Sequence, residues 1–239
     1  MISVCMATYN GAVFIRQQLE SILLQLPNSP EDAEVVIADD GSSDKTLSII
    51  ELLRDSRIRV LPCESHLGVI YNYERALQAC KGDFIFLADQ DDVWLPEKVA
   101  KTLELLNEVD LVTHDAFMLC PSDDSDTPLW NRSGKLSEIR PYRSGVVCNW
   151  WKNSFTGCCM AFRRNVLNRA LPFPRNLPMH DQWLGIVAER FFKVRTIEDP
   201  LVEYRQHSKN ATHIGNSPAG VLQKIKWRFD LARALFSSV

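Results

Sequence analysis

Gly82-Asp83-Phe84-Ile85-Phe86-Leu87-Ala88-Asp89-Gln90-Asp91-Asp92-Val93-Trp94 is the stretch on which the reading of this chain turns. A run of apolar residues ends in three acids within four positions. The run has the length and composition of a strand buried on both faces, as in a parallel sheet. The acids then fall just past its carboxyl end, where open α/β sheets bind ligands. In extended backbone, positions i and i+2 point the same way, so Asp89 and Asp91 are expected to face one site. Carboxylates that close repel unless a cation joins them, and a hard divalent ion suits oxygen donors. The plainer reading is a solvated acidic turn before a helix near Pro96.

The segments on either side decide between the two. Ile2 to Thr8 reads as a short buried strand, broken by Tyr9-Asn10-Gly11. Asn-Gly is a hairpin signal, but no second strand follows. Instead Phe14, Ile15, Leu19, Ile22, Leu23 and Leu26 recur at helical spacing. Glu34 to Ala38 is a second strand, ending in Asp39-Asp40-Gly41-Ser42-Ser43-Asp44 before a helix through Leu53. Ile58 to Leu61 is a third, leading through His66-Leu67-Gly68 to a helix over about 69–80. The organising strand is the fourth, and Asp110 to His114 a fifth. Strands alternating with helices at this spacing predict right-handed crossovers and a parallel sheet. The polar clusters at 8–10, 39–40 and 89–91 then share one edge and converge on one crevice. No phosphate-loop lysine motif and no GxGxxG follow the first strand. Any bound phosphate would therefore need a metal for its positive charge.

The composition narrows the classes of function. The chain has 239 residues, 46% of them hydrophobic, which is enough for a substantial α/β core. A net charge of −3 argues against nucleic acid as a partner. The seven Cys form no CxxC pair, so buried free thiols in a reducing compartment are expected. Residue 2 onward is already strand-like rather than a signal peptide, and no apolar stretch is long enough to span a bilayer. The expected location is the cytoplasm, with the inner face of the cell membrane as a candidate place of association.

The second half of the chain is less regular. Residues from Cys120 to Arg143 are polar and weakly patterned, and read as a long surface excursion. Trp150 and Trp151 are candidates for stacking on sugar rings as well as for packing. Thr156 to Phe162 is strand-like, and His180-Asp181 opens an amphipathic helix that carries Trp183. Asp181 could simply cap that helix. Val194 to Ile197 and Leu201 to Tyr204 read as two short strands before Arg205-Gln206-His207. Residues 221–236 have helical periodicity with Lys224, Lys226, Arg228 and Arg233, a helix that either docks on the domain or lies on an anionic membrane.

Taken together, these pieces resemble the GT-A fold, family 2 glycosyltransferases. The matching residues are Ala7-Thr8-Tyr9-Asn10-Gly11, Asp39-Asp40-Gly41-Ser42-Ser43-Asp44, Leu67-Gly68 with Glu74-Arg75-Ala76-Leu77, and Gly82 to Asp92. Further on they are Thr156-Gly157 through Arg163-Arg164, His180-Asp181-Gln182-Trp183, and Tyr204 to Asn210. The last two are most similar to bacterial enzymes of surface polysaccharide synthesis, many of them rhamnosyltransferases. The resemblance implies an α/β, Rossmann-like GT-A fold: a mostly parallel sheet flanked by helices, with a small antiparallel extension on the acceptor side. It implies a domain over 1–215, with a nucleotide-sugar half at 1–115, an acceptor-side half at 116–215, and a basic amphipathic helix at 216–239.

The same resemblance implies the roles. Asp40 would bond the nucleotide base, with Thr8, Tyr9 and Asn10 nearby; Gly68, Asp89, Gln90 and Arg205 would also serve the nucleotide sugar. Asp91, joined by His207, would hold Mn²⁺ or Mg²⁺. Asp181 would be the general base of an inverting displacement, its basicity lowered by the helix start. Trp150, Trp151, His180, Gln182 and Trp183 are placed on the acceptor side. The donor would be dTDP-rhamnose or a UDP-hexose, and the acceptor a lipid-linked saccharide. Two positions depart from the family pattern. His66 stands where relatives often carry Asn, and a basic residue is missing between Gly68 and Asn72-Tyr73-Glu74; both bear on the donor sugar. Two other functions remain in view. A sugar-1-phosphate nucleotidyltransferase would need a Gly-rich, Arg-bearing loop after the first strand, which Thr8 to Gly11 does not supply. A degenerate, non-catalytic nucleotide-sugar-binding protein would keep the pocket without turnover.

Overall fold

Along β1 (Ile2–Thr8) the side chains alternate between two cores. Val4 and Met6 join one, and Cys5 joins the other. The same alternation runs through β4 (Phe84–Asp89), where Phe86 and Ala88 face one core and Ile85 and Leu87 the opposite one. A strand apolar on both faces must lie between two helical layers. The computed structural model, which describes residues 1–61, 63, 66–122, 129–207 and 220–237, has that arrangement. On the first face α1 (Ile15–Leu23) packs through Ile15, Leu19 and Ile22, and α4 (Lys98–Leu106) through Val99 and Leu106. On the second face lie α3 (Val69–Ala79), α7 (Arg164–Ala170) and α8 (His180–Phe191).

The remaining strands are β2 (Ala33–Asp39), β3 (Ile58–Leu61), β5 (Val93–Trp94), β6 (Leu111–Pro121), β7 (Trp130–Lys135), β8 (Met160–Arg163) and β9 (Val194–Arg205). They form one sheet in the order β3-β2-β1-β4-β8-β6-β9-β5, with β7 paired to β6. The block β3-β2-β1-β4 is parallel, so its carboxyl ends share an edge. Strand β8 runs antiparallel to both β4 and β6, and β5 and β7 add further antiparallel pairs. The α/β class, the mostly parallel sheet and its antiparallel extension are as the sequence led us to expect.

The second half differs from its sequence reading in three places. Thr156 to Phe162 is not one strand: Gly157–Cys159 is a 3-10 turn, and only then does β8 begin. Val194 to Tyr204 is one strand rather than two, broken in register beside β6 where Asp115 meets Pro200. Proline lacks an N–H, so the ladder slips there instead of ending. Part of the polar excursion is ordered as β7 and the short helix α5 (Leu136–Ile139), and β6 runs on to Pro121 to pair with it. The acidic run Asp123 to Asp126 and the motif residues Ser208 to Asn210 lie outside the described residues. All seven cysteines are free, and Cys5, Cys80, Cys158 and Cys159 are buried. No described helix is long and apolar enough to cross a membrane.

Candidate active site

The carboxyl edge of the parallel block opens into a cavity of about 370 Å³. Thr8 and Tyr9 reach it from β1, Asp40 from the end of β2, Gly68 and Tyr73 from the start of α3, and Asp89, Gln90 and Asp91 from the end of β4. Arg140, Thr156, Gly157, Met179, His180, Asp181 and Tyr204 close the far wall. Four carboxylates predicted from sequence, Asp40, Asp89, Asp91 and Asp181, thus line one space.

The base-side loops hold themselves in place. Asp39 accepts bonds from Thr8 Oγ1 (2.9 Å), Ser42 Oγ (2.6 Å), and the N–H groups of Gly41 (3.0 Å) and Ser42 (2.8 Å). Asp40 accepts the N–H groups of Leu67 (2.7 Å) and Gly68 (2.9 Å), one on each oxygen. Gly68 sits at φ +81°, which costs a residue with a Cβ more than it costs glycine. Asn10 does not line the cavity. Its Oδ1 accepts the Ser43 N–H, so it staples the β1 and β2 loops together. Gln90 clamps Tyr9 through both of that residue's backbone groups (3.0 and 3.1 Å). A Cβ at Gly11 would strike the Gln90 amide, so a larger residue there would displace that clamp. His66 lies 2.9 Å from Asp40 Oδ2 and packs its ring against Tyr9 (centroids 4.7 Å apart). This departure from the family pattern therefore lies at the Asp40 end of the cavity.

The three acids after β4 separate by environment. Asp89 accepts the Tyr73 hydroxyl (2.6 Å), and burial followed by the charge of Asp91 pushes its carboxyl up to about 7. Asp91 Oδ2 lies 2.8 Å from His207 Nε2, and that imidazole stacks on Phe14. Asp92 turns inward. Its Oδ1 accepts the Arg205 N–H (3.1 Å) while Oδ2 is buried without a hydrogen-bond partner, and burial drives its pKa well up. Among the described residues, the tight group of three metal-type ligands is Asp89, Asp92 and Cys158, with ligand atoms within 4.8 Å of one another. That group lies largely behind the cavity, since only Asp89 of the three lines it. Asp91 and His207 offer a divalent cation a hard oxygen and an imidazole nitrogen, with Asp91 at the open space.

At the far wall, Asp181 stands in the first turn of α8. Its Oδ1 accepts Asn153 Nδ2 (3.0 Å) and the Gln182 N–H (2.6 Å), and the Gly157 N–H also contributes. Burial outweighs these bonds and the pull of Arg140, pushing the carboxyl up to about 6. A helix start would lower its basicity; burial, the largest influence on this carboxyl, acts the other way. Lys98 is buried, with Nζ 2.6 Å from the Cys158 carbonyl, so it fixes the turn that presents Gly157 to Asp181. Burial lowers Lys98 to about 8.

Several predicted site residues do other work. Arg205 does not line the cavity; its guanidinium bonds the Asp91 carbonyl (2.9 Å) and Gln17 Oε1 (2.5 Å) behind the acids. Gln182 donates to the Asn149 carbonyl (2.7 Å), and Trp183 is buried in the second core with its indole N–H on the Ala170 carbonyl (2.9 Å). Trp150 donates to the Arg228 carbonyl (2.8 Å) and Trp151 lies under the Arg228 guanidinium (4.0 Å). Both tryptophans thus hold the C-terminal helix α9 (Val221–Ser237), which also buries Leu231. His180 does line the cavity, stacked on Tyr73 (3.9 Å) rather than among these packing residues. Burial lowers it to about 3, so it is neutral, and neither ring nitrogen has a hydrogen-bond partner. The sequence assigns no site role to Tyr73, Asn153 or Arg140, and nothing in the local patterns of the last two distinguishes them from surface or core residues.

The glycosyl transferase family 2 profile matches residues 3–171. The chain belongs to glycosyl transferase family 2. It is 27% identical to the dTDP-rhamnosyl transferase RfbG of Shigella flexneri over 215 residues, covering 86% of this chain and 72% of RfbG. It is 30% identical to WfgD of Escherichia coli, named as a UDP-Glc:α-D-GlcNAc-diphosphoundecaprenol β-1,3-glucosyltransferase, over 79% of this chain and 70% of WfgD. The fold is that of S. aureus TarS in complex with UDP-GlcNAc, with a TM-score of 0.71 at 18% identity over 99% of this chain and 66% of that one. The chain thus spans about two thirds to three quarters of the length of these proteins.

Proposed function

We propose that this family 2 glycosyltransferase moves a sugar from a nucleotide diphosphate donor to a hydroxyl of a lipid-linked saccharide, with inversion at the anomeric carbon, during synthesis of a surface polysaccharide. The observation that carries this reading is the convergence of Asp40, Asp89, Asp91 and Asp181 on one cavity. Asp40 and Thr8 take the nucleotide base, with Tyr9 against it, and Asp89 takes the ribose. Asp91 and His207 would hold Mn²⁺ or Mg²⁺, which would supply positive charge to offset that of the departing diphosphate. Asp181 accepts the proton of the acceptor hydroxyl as its oxygen bonds to the anomeric carbon and the bond to the nucleoside diphosphate breaks. A carboxyl held near 6 is poised to do this at neutral pH. His180, neutral and unpartnered, offers one donor and one acceptor to sugar hydroxyls.

The names of the relatives support the donor class, dTDP-rhamnose or a UDP-hexose, and an acceptor carried on a lipid diphosphate. The helix α9 supports contact with an anionic membrane, since Leu222, Ile225, Phe229 and Phe236 are exposed beside Lys226 and Arg233. Removing residues 221–239 is then expected to release the protein from membrane fractions. The reading itself is tested by thermal shift with UDP, dTDP and GDP, each with and without Mn²⁺. One nucleotide should stabilise the protein by a few degrees in a metal-dependent way. Donor turnover must follow in the wild type, and binding without turnover would mark a degenerate transferase.

A further inference from the structure

Arg140 is the one permanently charged cation among the described residues that line the cavity, against four carboxylates. It follows α5 and is anchored through Nη1 to the Phe155 carbonyl (3.3 Å). Its guanidinium forms no ion pair within 4.0 Å of Asp181, although both face the same space. Its charge nevertheless reaches that carboxylate as the strongest influence holding it down. The Phe155 carbonyl that anchors Arg140 belongs to the 153–157 loop, whose Asn153 and Gly157 also bond Asp181. Arg140 therefore belongs to the Asp181 end, on the side from which an acceptor hydroxyl must approach. A guanidinium on the same cavity wall as the base is suited to hold an anion bidentately, with the neighbouring hydroxyl left to the base. The donor diphosphate has its own cation at Asp91 and His207, on the reading above.

On that reading, we infer that Arg140 is an acceptor-specificity residue that binds a phosphate group carried next to the reacting sugar, so that the enzyme selects phosphate-linked saccharides over neutral glycosides. Only the acceptor's phosphate is engaged, and the site accounts for recognition of a sugar diphosphate by a cavity whose other charges are acidic.

The test compares two acceptors, a saccharide on a short-chain lipid diphosphate and the same saccharide as a neutral alkyl glycoside. Arg140→Gln should raise KM for the diphosphate acceptor about 10- to 100-fold, the loss of one charge-assisted contact. KM for the neutral glycoside and for the donor should stay within about twofold, and Arg140→Lys should fall between. A rise in donor KM, or an equal rise for both acceptors, overturns the inference. A separate binding arm does not depend on transfer. With the nucleoside diphosphate saturating, calorimetry should detect an alkyl diphosphate lacking the sugar on the wild type and not on Arg140→Gln. Absence of that binding on the wild type, or its persistence in the variant, overturns the inference as well. Loss of nucleotide binding in the wild type would instead strike the functional reading beneath it.

Discussion

The two ends of the cavity hold their acids in opposite ways. At the β2 end, Asp39 and Asp40 are surrounded by N–H and hydroxyl donors from their own and adjoining loops, four on Asp39 and two backbone groups on Asp40. At the α8 end, Asp181 draws its side-chain partner, Asn153, from a distant loop, and burial still wins. Dense local hydrogen bonding fixes a carboxylate as an acceptor, whereas desolvation leaves one ready to take a proton. The first end suits recognition, the second chemistry.

The largest test of that division is Asp181→Asn. It should lower kcat by about 10²–10⁴-fold while nucleotide affinity stays within about twofold. Turnover at the wild-type rate would remove Asp181 from the role of base. Next comes Asp91→Ala, expected to abolish stimulation by Mn²⁺ and to cost roughly 10²–10³-fold in rate, a few kcal/mol of lost charge stabilisation. Full metal dependence in that variant, with its loss in Asp92→Asn instead, would move the cation to the buried Asp89, Asp92 and Cys158 group. Asp40→Asn should act on binding alone, weakening the nucleotide by about 10- to 100-fold through a charged hydrogen bond and a loosened 66–68 loop.

The raised carboxyl of Asp181 gives a pH test with two readouts. As the base it must be unprotonated, so kcat/KM should fall about tenfold per unit below roughly pH 6. In stability the sign runs the other way. The folded pKa of about 6 exceeds the unfolded value of about 3.9, so the folded state binds the proton more tightly. Stability from this group is present at low pH and lost as pH rises through 6. Asp181→Asn should therefore raise stability at pH 7.5 by up to about 2–3 kcal/mol and leave it unchanged at pH 4. A melting curve that shifts equally at both pH values would show that the carboxyl titrates normally.

The division also explains what the sequence disclosed. The parallel block could be read because its strands are continuous apolar runs, and because each ends in a cluster whose residue types are set by local backbone geometry. Asp40, Asp89 and Asp91 follow from those ends. The far wall is assembled from α5, the 153–157 loop and α8, so the side-chain partner of Asp181, Asn153, is 28 residues away in sequence. No local pattern marks Asn153 or Arg140. Trp150, Trp151, Gln182 and Trp183 have residue types that suit a sugar site, and the contacts they make are with helices and the backbone. Arg205, too, has the chemistry of a diphosphate ligand, yet among the described residues its guanidinium bonds the Asp91 carbonyl and Gln17 behind the acids.

The smallest expected effect sharpens where the acceptor wall stops. Trp151 is 62% exposed, and its ring meets Arg228 and Trp150 outside the cavity lining. A cation–π contact at so exposed a site contributes about 0.5–1 kcal/mol. Trp151→Ala should therefore lower the melting temperature by only a few degrees, through a looser α9, and leave acceptor KM within about twofold. If acceptor KM rises tenfold at unchanged stability, the acceptor runs from Asp181 out over α6 (Val146–Trp151) to the C-terminal helix. The far end of the molecule would then be an extended binding surface, and Trp151 would belong with Arg140 rather than with Trp183.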